Sequence, residues 1–201
     1  MQRVVRYSPL LVVLHWLFAV LVVVALTGGA LVLVKIPNSD PAKIPALRNH
    51  FEGGILLASL MLVRFLVRVR TSRPQRASTG NPALDRIAST TQLLFYPLVL
   101  AQAGVGLLLA FQTHLPQVLF AGHGALPVSF WIYPARTAHY AISRLLMVAI
   151  ALHICGGLYH SVILRDGLLR RMWFGRRFLE TPDRDDSSRA AMTHPMEQKS
   201  T

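Results

Sequence analysis

The chain has 201 residues, 53% of them hydrophobic and 15% charged, with a mean hydropathy of +0.44, a balance that excludes an ordinary soluble globule and points to the membrane class. A formal net charge of +12 could suggest nucleic acid, but the basic residues lie between and after long apolar runs, where membrane topology has a simpler use for them. Cys155 is the single cysteine, so no intrachain disulfide can form.

Four apolar runs follow in chain order, Leu10 to Val34, Phe51 to Val67, Leu93 to Phe111 and Tyr140 to Leu164, each near the ~20 residues that span hydrocarbon. They predict transmembrane helices over about 8–34, 46–68, 89–111 and 137–165, an all-α membrane protein built as an antiparallel four-helix bundle. The first run exceeds the ~7–15 apolar residues of a signal peptide and lacks a small-residue cleavage site, so it is expected to be retained. Between the second and third runs, Val69 to Ala88 is rich in Arg, Pro, Ser and Thr and forms a loop. A fifth apolar stretch, Val118 to Ala135, is broken by Gly122, His123, Gly124, Pro127 and Pro134. Lipid cannot satisfy the backbone groups such breaks release, so this stretch is expected at the interface, with Phe130, Trp131 and Tyr133 at headgroup depth. Residues 180–201 are polar and predict a disordered cytoplasmic tail, leaving 1–179 as one membrane domain. Arg3, Arg6, Arg68, Arg70, Arg73, Arg76, Arg86, Arg165, Arg170 and Arg171 fall on one side and only Lys35, Lys43, Arg48 and Arg136 on the other. Both termini are therefore expected in the cytoplasm.

Ionisable residues inside such spans default to a functional reading. His139 and His153 are 14 positions apart on the fourth helix, which leaves them roughly 40° from alignment and ~21 Å apart along the axis. His15 lies 9 positions from Arg6 and His153 12 from Arg165, about 13 and 18 Å from the cytoplasmic markers. His50 and His139 sit 2 and 3 positions after Arg48 and Arg136, near the outer face. Depth thus pairs His15 with His153 and His50 with His139. One histidine in a membrane helix is more often a hydrogen-bonding or interfacial residue than a ligand; four in two depth-matched pairs reverse that weighting. Paired imidazoles without cysteine or a carboxylate cluster suit the axial positions of a haem iron better than tetrahedral zinc.

His160, 7 positions after His153 on the same face, is read either as supporting the inner site or lining a quinone pocket, or as an interfacial histidine. Arg64 and Arg144 are each candidates to neutralise a haem propionate; Arg64 could instead snorkel to the interface. Glu52 is an outer charge or a hydrogen-bond partner of His50. Gly53, Gly54, Gly156 and Gly157 remove side chains near the histidines, which serves either a flat macrocycle or helix packing.

RYSPLLVVLHW near the start, NHFEGG opening the second helix, and histidines 14 apart followed by LYH resemble the bacterial cytochrome b561 family, four-helix dihaem proteins of the inner membrane. The resemblance spans roughly Arg6 to Arg171 and is sharpest in the histidine register and in Trp16. It implies two haem b groups on His15/His153 and His50/His139, electron exchange with a quinone, and kinship to a branch that oxidises superoxide and reduces ubiquinone. Lys35, Lys43, Arg48 and Arg136 would then steer superoxide, against Asp40 and Glu52. Phe51-Glu52 after His50, and Gln102 where a proline-type kink is expected, depart from the family pattern. The competing readings are a cytochrome b anchor subunit, like those of hydrogenases and formate dehydrogenases, fed by a partner protein, and a haem-free bundle.

Overall fold

The computed structural model describes residues 2–75 and 78–180, with side chains placed from residue 4 to residue 178 apart from the same gap. Arg76 and the expected tail from 181 onward lie outside the described residues.

Helix α1 (Pro9–Thr27) starts where Ser8 accepts a hydrogen bond from the Leu11 amide and Pro9 takes the first turn, the position at which a missing N–H costs nothing. It runs on as a π-helical extension, Gly28–Leu33. Helix α2 covers Lys43–Arg70 and α3 covers Pro82–Gln112. The start of α3 lies ahead of the expected 89 because Asn81 caps it through the Ala83 amide, with Pro82 behind the cap. Asp85, in its first turn, takes hydrogen bonds from Ser78 and Thr79 and folds the preceding loop onto it. Helix α4 covers Pro134–Leu158 and continues as a π-helical extension, Tyr159–Leu164; a short α5 is Leu168–Arg171. The stretch expected at the interface holds a π-helical turn, Gln117–Ala121, and a 3₁₀ turn, Phe130–Ile132.

Two features depart from the sequence reading. Gln2–Val4 (β1) pairs antiparallel with Phe178–Glu180 (β2), Gln2 opposite Glu180, so a small ribbon joins the residues before α1 to those after α5. Pro97 stands inside α3, five residues before Gln102; it removes the amide that would bond the carbonyl four residues earlier.

Pro9–Leu33, Pro82–Gln112 and Pro134–Leu164 are long and apolar enough to cross a membrane by length and composition. Helix α2, which carries Arg48, Glu52, Arg64, Arg68 and Arg70, is not among those three. The apolar side chains point out more than in: Val20, Val24, Leu93, Phe111, Val162 and Ile163 are all more than half exposed, a surface of the kind that lipid covers. Inside, α1 packs on α2, α2 on α3 and α3 on α4. One apolar cluster joins Leu47, Ala110, Leu115 and Leu119; a second joins Met61, Tyr96, Val99 and Leu146. Close backbone packing of α4 against α1 or α2 is not part of this pattern, and each histidine pair bridges one of those two gaps.

Candidate functional site

The four histidines meet as two pairs. His15 on α1 faces His153 on α4 with ring centres 6.2 Å apart and planes at 70°. His50 on α2 faces His139 on α4 at 6.1 Å and 77°. Two metal–nitrogen bonds of roughly 2 Å, with ~1 Å from each nitrogen to its ring centre, add to about 6 Å. Both pairs therefore have the spacing that two imidazoles need to share one metal atom. Among the described residues no group of three or more His, Cys, Asp and Glu could hold a metal, so a closed zinc site has no donors here.

The two levels differ in how their rings are held. At the inner level Trp16 meets His15 edge-on at 5.4 Å and Phe95 of α3 meets His153 at 5.5 Å. The Trp16 indole donates to the Met172 carbonyl at 3.0 Å and meets Trp173 edge-on, so the segment after α5 closes over this end. At the outer level the rings press against bare backbone. A Cβ on Gly106 of α3 would lie 3.1 Å from Cε1 and 3.3 Å from Nδ1 of His139; one on Gly29 would lie 3.3 Å from Cε1 of His50. By contrast nothing lies within 4 Å of a Cβ at Gly53, Gly54 or Gly156, so these glycines do not serve close helix packing.

Arg64 lies at the inner level, within electrostatic reach of both His15 and His153. It donates to the Tyr96 hydroxyl at 2.8 Å, while its Nε is buried without a partner. Arg64, Arg68, Tyr7, Leu11 and Met172 line a crevice at this end. Arg136 has the corresponding place at the outer level, within reach of His50 and His139. Gln102 Oε1 is likewise buried without a hydrogen bond, a cost of about 1–3 kcal/mol unless something else satisfies it, whereas His139 Nδ1 faces the α3 backbone, within reach of an acceptor at Gln102. An acidic, planar, metal-centred group with carboxylate arms would take up the imidazoles and the arginine donors together.

The structure does not bring Arg144 to either pair. Five positions beyond His139 is roughly 140° around the helix, and Arg144 is exposed, its guanidinium over the Tyr140 ring at 4.8 Å. Its candidacy for a propionate fails on direction. Glu52 is exposed and makes no described hydrogen bond to His50. Of the basic residues expected to steer an anion, Lys43 is buried, its ammonium donating to the carbonyls of Leu33 and Ile36 at 2.6 and 2.7 Å. Burial, with Arg136 adding repulsion, holds its pKa below the ordinary lysine value. It serves the carbonyl-rich end of the first helical segment.

His160 is buried with Nδ1 2.6 Å from Asp166, a partner absent from the sequence reading. The chain turns back at Arg165, which adopts a left-handed φ of 50°, and the Leu168 amide bonds the other Asp166 oxygen. Burial raises the Asp166 pKa, but the hydrogen bonds from His160 and Leu168 and the nearby positive charges outweigh it and hold the carboxyl below its ordinary range. Gly29, Gly106, Tyr96 and Asp166 are thus the site residues that sequence reasoning missed. The signal for the glycines was their place within apolar helices; that for Tyr96 was a hydroxyl there.

A lipid-facing helical chain that aligns imidazole pairs at two depths is a membrane protein made for metal-centred redox groups. The family model described as prokaryotic cytochrome b561 matches residues 6–175, and the chain belongs to that family. It is thereby a b-type membrane cytochrome with an electron-transfer role, and the family implies bound haem b. The chain is also similar to a Yersinia pestis protein named probable superoxide oxidase CybB, 23% identical over 172 residues that cover 83% of this chain and 95% of that one.

Proposed function

We propose that the chain is a dihaem cytochrome of the bacterial inner membrane, a four-span antiparallel bundle with both termini cytoplasmic, that moves single electrons between an outer donor such as superoxide and ubiquinone. The observation that carries this reading is the pair of imidazole separations, 6.2 and 6.1 Å, set at two depths of one helix. His15 and His153 would hold the inner haem b, and His50 and His139 the outer one. When bound, each haem supplies an iron that accepts and releases one electron. The protein's part is to fix the rings: Gly106 and Gly29 set the outer imidazoles, Trp16 and Phe95 the inner ones. Arg64 supplies a cation for the propionates at the inner level. His160, with Asp166 holding one ring nitrogen, stands at the inner end where a quinone would exchange a proton with the cytoplasm.

The name of the Yersinia pestis relative favours superoxide as donor, and Arg48 and Arg136 at the outer end suit an anion. In the test, purified protein is titrated spectroscopically for two low-spin b haems per chain, then given superoxide without oxygen and with ubiquinone. Haem reduction followed by quinol formation supports the reading. Two haems without reduction by superoxide would move the chain to the anchor-subunit class; no haem would end the cytochrome reading of these residues.

A further inference from the structure

Arg144 stands on the outward face of α4 without a suitable partner. Its described contacts are the Tyr140 ring and the Met147 sulfur at 3.7 Å, a weak acceptor for five N–H donors, and its neighbours Leu145 and Val148 are exposed. A guanidinium in hydrocarbon is costly, so its depth decides how it is tolerated. The segment Pro134–Leu164 has 31 residues, about 46 Å against a hydrocarbon thickness of ~30 Å. Counted from Arg165, where the helical segment ends, Arg144 is 21 positions away, about 31 Å. With Arg165 taken as one edge of the hydrocarbon, Arg144 lies at the other edge, within reach of the lipid phosphates, rather than at mid-span.

Three further residues continue the same surface. The rings of Tyr140 and Trp131 meet edge-on at 5.5 Å, and Arg136 lies over Trp131 at 4.4 Å. Trp131 is 52% exposed and Tyr140 39%. Two cations thus flank a pair of aromatic rings, and among the described residues the only ion pair is His160 with Asp166, elsewhere in the molecule.

We propose that Arg136, Trp131, Tyr140 and Arg144 form a binding site for an anionic phospholipid of the leaflet on their side, the outer one in the orientation above. The phosphodiester takes the guanidinium donors, the aromatic rings cover the glycerol region, and the acyl chains run along Leu145 and Val148. Two uncompensated charges favour a lipid with net negative charge over a zwitterionic one.

Native mass spectrometry of the detergent-purified full chain, with phosphatidylglycerol or phosphatidylethanolamine added at equal concentration, tests this. The wild type should retain one phosphatidylglycerol in preference. Arg144→Gln should lower the retained fraction about tenfold, the scale of one lost charge-assisted contact, while Arg165→Gln at the other end should not. Trp131→Leu should weaken retention severalfold, and it carries the test if the arginine variant does not fold. Lack of preference in the wild type, an undiminished preference in both the Arg144 and Trp131 variants, or a stoichiometric protein retained through Arg144 in place of lipid would each overturn the proposal. Because the readout is lipid mass, it stands or falls separately from haem content.

Discussion

Gly106→Ala is the sharpest probe of how the outer imidazoles are held. The added methyl would sit 3.1 Å from Cε1 and 3.3 Å from Nδ1 of His139, inside the ~3.5–4.0 Å at which carbon atoms pack comfortably. Because α3 and α4 are packed on each other, the backbones resist spreading and the ring must yield by a few tenths of an ångström. Metal–nitrogen distances tolerate about ±0.2 Å, so the displacement is large enough to weaken the bond at that level. Overpacking of this kind costs typically 1–3 kcal/mol, about a five- to 150-fold loss in affinity. In a spectroscopic redox titration, one of two low-spin components should lose amplitude or shift in potential while the other stays in place. Gly29→Ala, whose Cβ would meet His50 at 3.3 and 3.8 Å, should do the same more weakly, and Gly156→Ala, with nothing within 4 Å, should produce no steric clash with a histidine. Disturbance of the His15/His153 component by Gly106→Ala, or its wild-type behaviour in both components, would falsify the contact argument.

Ligand removal should respect the pairing: His15→Ala and His153→Ala abolish the same spectral component, and His50→Ala and His139→Ala the other, read by reduced-minus-oxidised difference spectra. Tyr96→Phe removes the only described side-chain acceptor of Arg64; potentiometry should show the inner component moving and the outer one unchanged, with Arg64→Gln moving it further. Asp166 has a lowered pKa in the folded protein. Its stabilising contribution is therefore complete above the ordinary aspartate range and lost as pH falls through the lowered folded value. Thermal melts should show the wild type losing stability with acid below about pH 4, and Asp166→Asn should be less stable at neutral pH with that part of the acid slope removed.

What was legible in the sequence depended on whether it was local. The apolar length of α1, α3 and α4 marks them as membrane-spanning candidates, and the partners of His15 and His50 follow from counting residues to the flanking arginines, since each step along a helix has a fixed rise. Arg144 was misread although the same arithmetic, roughly 140° from His139, already turned it away from the interior; its unusual residue type outweighed its phase. Gly29 and Gly106 could not be chosen over Gly53 or Gly156 from the sequence, because which glycine touches a ring depends on which helices pack and at what height. Asp166 escaped for a related reason: it reaches His160 only through the left-handed turn at Arg165, which no helical periodicity describes.

The irregular parts of the long helices are placed where they leave the ligand spacing intact. The π-helical extension of the first helix begins at Gly28, beyond His15, and that of the fourth begins at Tyr159, beyond His153. Between His139 and His153 the segment HYAISRLLMVAIALH contains neither glycine nor proline and is unbroken α-helix. Leu, Met and Ala in that stretch favour the helix, and its regular hydrogen bonding fixes both the ~21 Å rise and the relative phase of the two rings. One rigid helix therefore carries a histidine at each level, while the partner histidines come separately from α1 and α2. A substitution that loosens α1 or α2 can disturb one level at a time; a glycine or proline placed at Leu146, buried against Met61, Tyr96 and Val99, should disturb the spacing between both.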